Sequence, residues 1–169
     1  RMVDLIDSHA DVAIRFGTLS DSDMLRRHLG VTSWHLVAAP AYLAAQGLPG
    51  RPEDLARLEQ VRFTAPDHIN QLRFRGLSQP VTVPAAAYAE NGEAVRSLVL
   101  GGMGVARFSE FMVAEDLARG RLVELFAGQL DVPPLEITAL FLTRTSGLRR
   151  LAVFLDWLKE VLAPAAPAP

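Results

Sequence analysis

Short apolar runs alternate with amphipathic segments along the chain, and turn residues separate them. The run Asp11–Gly17 is mostly apolar and ends in glycine, which predicts a buried parallel strand. Residues Trp34–Ala39 predict a second strand that stops at Pro40, and residues Ala41–Gly47 then predict a short helix closed by glycine. Pro52, followed by two acidic residues, is typical of a helix start. The first part of the chain therefore alternates strands with helices.

The same alternation continues to the end of the chain. Asn91 is predicted to cap a helix through Leu100, Ser109 to cap a helix from Glu110 to Arg119, and leucines at three- and four-residue steps predict a last helix. The apolar runs that we interpret as strands are Val61–Phe63, Leu72–Phe74, Val81–Val83, Val105–Phe108, Leu122–Phe126 and Leu135–Leu142. This alternation predicts parallel sheets with helices on both faces, and ligands beyond the carboxyl ends of the strands.

Composition narrows the possible functions. The 169 residues are 50% apolar, and 17 basic against 19 acidic residues give a net charge of −2, so the chain lacks the basic field that holds DNA phosphates. The absence of cysteine excludes disulfides, thiolate nucleophiles and Cys-based zinc sites. No apolar run has the roughly 18 to 20 residues that span a bilayer, and no signal-peptide pattern opens the chain. We therefore expect a soluble protein that makes no membrane contact.

Both ends of the sequence carry expectations of their own. The opening residues Met2–Asp7 look like the inside of a helix without a cap, so we expect the sequence to begin within a domain. Residues 163–169 alternate alanine with proline, which predicts a flexible tail.

Seven motifs, in this order and spacing, resemble the effector-binding domain of LysR-type transcriptional regulators. The motifs are Asp11–Gly17, the predicted turn Arg26–Gly30, Ala39–Leu43, Pro52–Leu55, Asn91–Ala94, Gly102–Ala106 and Glu110–Val123. The resemblance covers nearly all of residues 3–162. It implies an α/β fold of the type-2 periplasmic-binding-protein-like class, with two Rossmann-like lobes, two crossover strands and a small-molecule site in the cleft between the lobes.

The resemblance also implies an organisation for this chain. Residues 1–31 and 137–162 would form a partial first lobe and residues 32–136 the second lobe. In the family a winged helix-turn-helix precedes this domain, so DNA would be bound only through a segment absent here. A cytoplasmic dimer or tetramer that binds a small effector, without a cofactor, is what the family implies.

Charged and polar residues near predicted strand ends are the candidates for ligand binding. Arg15, with Phe16 and Gly17 beside it, could bind a carboxylate through its guanidinium, or could instead pair with Asp11 or Asp21. Arg107 stands where the family usually has an apolar residue, and it would either contact the ligand or reach solvent. A cation gained near the cleft favours an anionic metabolite.

The second predicted lobe contributes further candidates. By resemblance, Phe63, Thr64 and Ala65 follow a strand at a place where the family often contacts its ligand; the alternative is a plain loop. Asn91 opens a helix whose amides could hold an anion, or it only caps that helix. Thr32 and Ser33 lie at the expected first crossing, where hydroxyls serve backbone turns as readily as a ligand.

Signals for catalysis are absent from the sequence. The histidines show neither an H-x-x-x-H pair nor an acid at metal-ligand spacing, so we expect no metal site. There is no Gly-x-Ser-x-Gly elbow and no P-loop, and Gly102-Met103-Gly104 lacks the third glycine of a dinucleotide fingerprint. We therefore expect a regulator and not an enzyme, and no catalytic residue. A periplasmic solute-binding protein of the same fold stays the alternative.

Overall fold

The computed structural model describes residues 10–17, 24–142, 147 and 149–162. The predicted opening helix, the tail, and Asp21 lie outside the described residues. The chain divides into two compact units, one formed by residues 1–32 and 134–169 and the other by residues 33–133. In chain order the elements are β1 (Val12–Phe16), β2 (Leu25–Thr32), β3 (Trp34–Ala38), α1 (Pro40–Gln46), a 3-10 helix (Pro52–Arg57), β4 (Gln60–Phe63), a 3-10 helix (Asp67–Asn70), β5 (Ala85–Ala89), α2 (Gly92–Leu100), β6 (Val105–Ser109), α3 (Glu110–Ala118), β7 (Val123–Leu125), β8 (Leu135–Phe141) and α4 (Arg149–Val161).

The first unit contains a three-stranded sheet in the order β1-β8-β2, and both pairs are antiparallel. The predicted parallel strand at Asp11–Gly17 is therefore wrong in direction, and it is half-buried instead of buried. The element alternation suggested parallel neighbours, but β1 pairs with a strand that returns from the far end of the sequence in the opposite direction. Segment Arg26–Gly30, predicted as a turn, is part of β2.

Helix α4 covers one face of this sheet. Its Leu151 and Leu155 are buried, and they pack with Leu29, Ile137 and Ala139. The leucine spacing had predicted this helix and its buried stripe, and both are confirmed. On the adjacent side of α4 a second group of apolar residues is exposed: Val153, Phe154, Trp157 and Val161.

The second unit contains a five-stranded mixed sheet in the order β5-β4-β6-β3-β7. Strand β4 is parallel to β5 and β6, whereas β3 is antiparallel to β6 and β7. The predicted strands at 72–74 and 81–83 form only isolated bridges, Leu72 with Val81 and Phe74 with Leu130. Leu72 and Phe74 are buried, and Val81 and Leu130 partly buried, because they fill the core and not because they extend a sheet.

Apolar clusters lie on both faces of this sheet. One face packs against α1 and the Pro52–Arg57 helix, and the other against α2 and α3. The helix predicted at Pro52 is a 3-10 helix, in which Asp54 accepts hydrogen bonds from the backbone N–H groups of Gly50 and Arg51. Gly104 lets the start of β6 approach the backbone of β4, because a Cβ there would collide with the carbonyl oxygen of Glu59.

Candidate functional site

Several predicted site residues of the second unit gather at one edge of its sheet. Strands β4 and β5 run in parallel, with Phe63 opposite Ala89, so Thr64 and Asn91 follow their strands at the same edge. Strand β6 ends at this edge too, and antiparallel β3 begins there, with Trp34 opposite Ser109. The sheet therefore brings together the ends of four strands, which is where α/β folds place ligand-binding loops.

The segment that follows β4 is held by the side chain of Asn70. This amide accepts a hydrogen bond from the backbone N–H of Phe63 at 2.8 Å and donates one to the carbonyl of Phe63 at 2.9 Å. The N–H of Thr64 donates to the carbonyl of Ala89 at 2.9 Å. Thr64 and Ala65 are exposed, and the peptide bond from Ala65 to Pro66 is cis. Phe63 and Thr64 thus have fixed backbones, while the side chains of Thr64 and Ala65 are open to solvent.

The side chain of Arg107 lies beneath this loop. Only 3% of the residue is exposed, and its two terminal nitrogens donate to the carbonyls of Gln71 at 3.1 Å and His68 at 3.0 Å. The guanidinium carbon lies 4.5 Å from the ring centroid of Trp34, in cation–π contact. The buried Nε has no hydrogen-bond partner among the described residues. The escape to solvent that the sequence left open does not occur.

Burial lowers the pKa of Arg107 to about 10 because desolvation disfavours the charged form. None of the ion pairs within residues 10–17, 24–142 and 149–162 involves this guanidinium. At neutral pH the side chain stays charged. The site therefore holds a desolvated positive charge that two carbonyls and an aromatic ring compensate only in part.

Asn91 caps α2 as the sequence predicted. Its side-chain oxygen accepts a hydrogen bond from the N–H of Ala94 at 2.9 Å, so this oxygen serves the helix. Gly92 brings the start of α2 close to α3, since a Cβ at this position would collide with the end of the Met112 side chain. Ser109 precedes α3 as predicted, but its side chain makes no capping hydrogen bond.

Ser33 belongs to a chain of polar contacts across β3, β7 and α3. Its hydroxyl donates to Glu110 at 2.9 Å and lies 3.2 Å from Nε2 of His35, whose Nδ1 lies 2.9 Å from Glu124. Ser33 was a candidate from the sequence, but the other three residues were not, because Glu110 and Glu124 reach this chain of contacts from 77 and 89 residues away. Trp34 was missed because its partner Arg107 is equally remote in sequence, and Asn70 because no motif marks its contacts with Phe63.

The candidates of the first unit flank the beginning of β8. Phe16 lies opposite Ile137, the N–H of Gly17 donates to the carbonyl of Glu136 at 2.9 Å, and Thr32 lies opposite Leu135. Thr32 is buried, and its hydroxyl has no hydrogen-bond partner within the described part of the chain. These residues share one end of the sheet.

Arg15 lies opposite Thr138, on the sheet face that α4 does not cover, whereas the register puts Thr32 on the α4 face. Of the two acids proposed as its alternative partners, Asp11 is 3.7 Å from Arg150 and Asp21 is outside the described residues. Thr138, which is buried beside Arg15, was not among the sequence candidates. An arginine and two threonines thus provide the donors of this unit.

These groups donate hydrogen bonds and carry positive charge, but they do not form a catalytic set. Within the described residues no group of three or more His, Asp or Glu side chains is placed to hold a metal ion. No helix of the described part is long and apolar enough to cross a membrane. The chemistry that the residues support is the non-covalent binding of an anion.

Comparisons with known proteins identify the family. A family model described as the LysR substrate binding domain matches residues 1–163. The transcriptional regulator CrgA of Neisseria meningitidis serogroup C is 35% identical over 161 residues, which are 95% of this chain and 54% of CrgA. PtxR of Pseudomonas aeruginosa is 36% identical over 163 residues, covering 94% of this chain and 51% of PtxR. The chain thus spans about half the length of these curated relatives.

The solved structure of the CrgA regulatory domain, described as that of a LysR-type transcriptional regulator, has the same fold. It superimposes with a TM-score of 0.84 at 35% identity, and the match covers 93% of this chain and 78% of that domain. The predicted family and the predicted type-2 periplasmic-binding-protein-like fold are both confirmed. This chain belongs to the LysR substrate-binding domain family.

Proposed function

We propose that this chain binds a small anionic metabolite and so acts as the sensor of a LysR-type transcriptional regulator. The proposal that the ligand is an anion is supported by Arg107. Its charge is buried at the edge of the sheet where β4, β5 and β6 end, without an acidic partner among the described residues. Burying a charge is costly unless it is paired. An effector carboxylate near the Phe63–Ala65 loop would offset that cost, which is what a sensing site requires.

Arg107 would act on the effector in two ways. Its hydrogen bonds to the carbonyls of His68 and Gln71 fix the loop that carries the exposed Thr64. Its charge also gives the loop a positive potential, which is screened little because the guanidinium is buried. A small carboxylate bound at the loop surface would then be attracted without displacing the guanidinium from its carbonyls.

The location of the effector, the oligomeric state and the DNA binding of the intact regulator are part of the same proposal. We propose that the effector lies in the cleft that the resemblance implies between the lobes, with Arg15 as a donor from the first unit, since Thr32 lies on the opposite face of its sheet. The intact regulator would be a cytoplasmic dimer or tetramer that reads DNA through a preceding helix-turn-helix, and it would do no chemistry on the ligand. Relatives described as helix-turn-helix regulators favour this proposal over a periplasmic solute-binding protein.

A thermal-shift screen of the purified chain tests the proposal. Small mono- and dicarboxylates and amino acids would be compared with their neutral amides, because a ligand that binds only the folded state raises the melting temperature. We expect at least one carboxylate to stabilise the chain while its amide does not. Equal stabilisation by a neutral analogue would contradict the anionic class.

Variants then locate the contact by titration calorimetry with the carboxylate found. Arg107→Gln should weaken binding at least tenfold, while Arg119→Gln, which removes an exposed arginine of the same unit, should leave affinity unchanged. Arg15→Lys keeps the charge but loses the planar fork, so it should weaken binding less than Arg15→Ala. Unchanged affinity in both the Arg107→Gln and Arg15→Ala variants would overturn the assignment.

A further inference from the structure

The side chains of Glu124, His35, Ser33 and Glu110 form a chain of polar contacts. Which of these groups donate and which accept depends on whether the His35 ring carries one hydrogen or two. Nδ1 of His35 lies 2.9 Å from a carboxylate oxygen of Glu124, and Nε2 lies 3.2 Å from the hydroxyl oxygen of Ser33. That hydroxyl in turn lies 2.9 Å from Glu110. The side chains of His35 and Glu124 are only 17% and 26% exposed, so solvent competes weakly for the contact between them, whereas Ser33 is exposed.

Only one proton arrangement satisfies all three contacts at once. An ionised carboxylate only accepts, so Nδ1 must donate to Glu124 and the single hydroxyl hydrogen of Ser33 must go to Glu110. Nε2 must then donate to the hydroxyl oxygen, which makes the ring doubly protonated. With a neutral ring, Nε2 has no hydrogen, and the Ser33 hydroxyl must choose between Nε2 and Glu110.

We propose that His35 is a proton-dependent link that ties the edge strand β7 to β3 and, through Ser33, to the first residue of α3. The doubly protonated ring makes an ion pair with Glu124 and keeps Ser33 bonded to Glu110. Loss of the proton removes the positive charge that faces Glu124, and the Ser33 hydroxyl then donates to either Nε2 or Glu110. Histidine is the side chain whose charge changes most readily near neutral pH, so the link can be tested by varying the pH.

The other charged groups around β3 are occupied elsewhere. Arg107 of β6 lies opposite Leu36 and therefore on the other face of the sheet from His35. The charges that α2 and α3 contribute besides Glu110 form ion pairs of their own: Glu93 and Asp116 with Arg96, Asp116 with Arg121, and Glu115 with Arg119. Glu110 and Glu124 are therefore the two charges that determine how His35 responds.

Strand β7 is a short element that this link can influence. It has three residues at the edge of the sheet and pairs only with Leu36, Val37 and Ala38 of β3. A side-chain ion pair that crosses the same two strands adds a substantial part of the attachment. The ion pair between His35 and Glu124 requires the second ring hydrogen. Its contribution to the attachment of β7 is therefore complete at acidic pH and is lost as the pH rises.

Hydrogen exchange of the purified chain tests the link. After correction for intrinsic exchange rates, we expect the protection factors of the backbone amides of residues 122–126 to be roughly two- to fivefold higher at pH 5.5 than at pH 8.0. This is the size of effect expected for a partly exposed ion pair. The difference should disappear in His35→Gln and in Glu124→Gln. His28→Gln, which changes an exposed histidine of the other unit, should keep it.

Ring nitrogen NMR gives a second readout that is independent of global stability. Nδ1 and Nε2 of His35 should both carry hydrogens at pH 5.5, and Ser33→Ala should leave the pH dependence at 122–126 but abolish that at the start of α3. A singly protonated His35 ring at pH 5.5, or an exchange difference that survives His35→Gln, would overturn the proposal. These outcomes do not depend on any effector, so they are separable from the proposed function.

Discussion

Replacing Arg107 by methionine measures the balance of two opposite effects of the same side chain. The guanidinium joins the carbonyls of His68 and Gln71 to the Trp34 ring, which stabilises the loop after β4. It also places a charge in a desolvated position, which destabilises the fold. Methionine cannot donate a hydrogen bond and carries no charge, so the variant removes both effects together; it is also shorter, so part of the buried guanidinium site is left unfilled.

The magnitudes favour the stabilising effect. Each hydrogen bond from a charged donor contributes about 1.5 to 3 kcal/mol, and a desolvated cation–π contact contributes about 2 kcal/mol. Burial lowers the pKa of Arg107 from its ordinary value to about 10, which corresponds to a cost on the order of 3 kcal/mol. The balance is a net stabilisation of about 2 to 5 kcal/mol. Because His68 and Gln71 are exposed, water can reach their freed carbonyls, which moves the expectation towards the lower value.

The free energy that it costs to bury the charged Arg107 side chain should not vary between pH 5 and 9. The folded-state pKa of Arg107 lies below the unfolded value, so the unfolded chain binds more protons only from about pH 10 upwards, and the stability contributed by this group rises with pH only there. Measurements at pH 7 therefore contain the full cost. The comparison between Arg107→Met and the unmodified chain can be made at a single pH.

Urea unfolding and hydrogen exchange provide the assay. Arg107→Met should lower the free energy of unfolding by about 2 to 4 kcal/mol and increase exchange in residues 64–71. Arg107→Lys should lower it less, since lysine can reach one carbonyl but not stack as a planar fork. Arg119→Met is the matched control at an exposed arginine and should change stability by less than about 1 kcal/mol. If Arg107→Met is as stable as the unmodified chain, the burial cost dominates and this reasoning is refuted.

Three further changes have clear expectations, each measured by urea unfolding. Asn91→Ala removes the hydrogen bond to the N–H of Ala94 and should cost about 1 kcal/mol, whereas Asn91→Asp, which keeps an acceptor, should cost little. Gly104→Ala should cost about 3 kcal/mol or more, because the new Cβ collides with the backbone of Glu59, while Gly92→Ala meets only the movable end of Met112 and should cost far less; similar losses for the two would contradict the distinction. Thr32→Val replaces a buried hydroxyl that lacks a partner in the described structure and should raise stability by about 1 kcal/mol; a loss of similar size would show that the hydroxyl is bonded.

Local signals in the sequence were sufficient where an element is defined by neighbouring residues. Asn91 with the apolar spacing of α2, and the leucine steps of α4, define helices that the structure contains. The Trp34–Ala39 run corresponds to β3. The strongly apolar run that begins at Leu135 corresponds to β8. In each case the residues that determine the element are close neighbours in the sequence, so the segment itself is sufficient to predict it.

Strand direction and side-chain pairing depend on residues far apart, and there the prediction failed or was silent. Nothing near Asp11–Gly17 shows that its neighbour is β8, so the parallel assignment could not be corrected from the sequence. Segment Arg26–Gly30 lacks apolar alternation, yet β2 is held along β8 with an irregularity between His28 and Gly30. The stretch Ala85–Ala89 has weak strand propensity and becomes β5 through its parallel pairing with β4.

Two sequence candidates have unsatisfied buried polar atoms: Thr32, which the family resemblance suggested, at its hydroxyl, and Arg107, which departs from the family pattern, at its Nε. The hydrogen-bond geometry singles out both residues without any use of the family. Buried polar atoms without partners cost about 1 to 3 kcal/mol each, and natural proteins keep few of them. Arg107 also stands where the family usually has an apolar residue, which would avoid this cost. The carbonyl and ring contacts of Arg107 stabilise the fold, so its retention needs no ligand to explain it; the Nε without a partner among the described residues is the feature that we propose a bound effector uses.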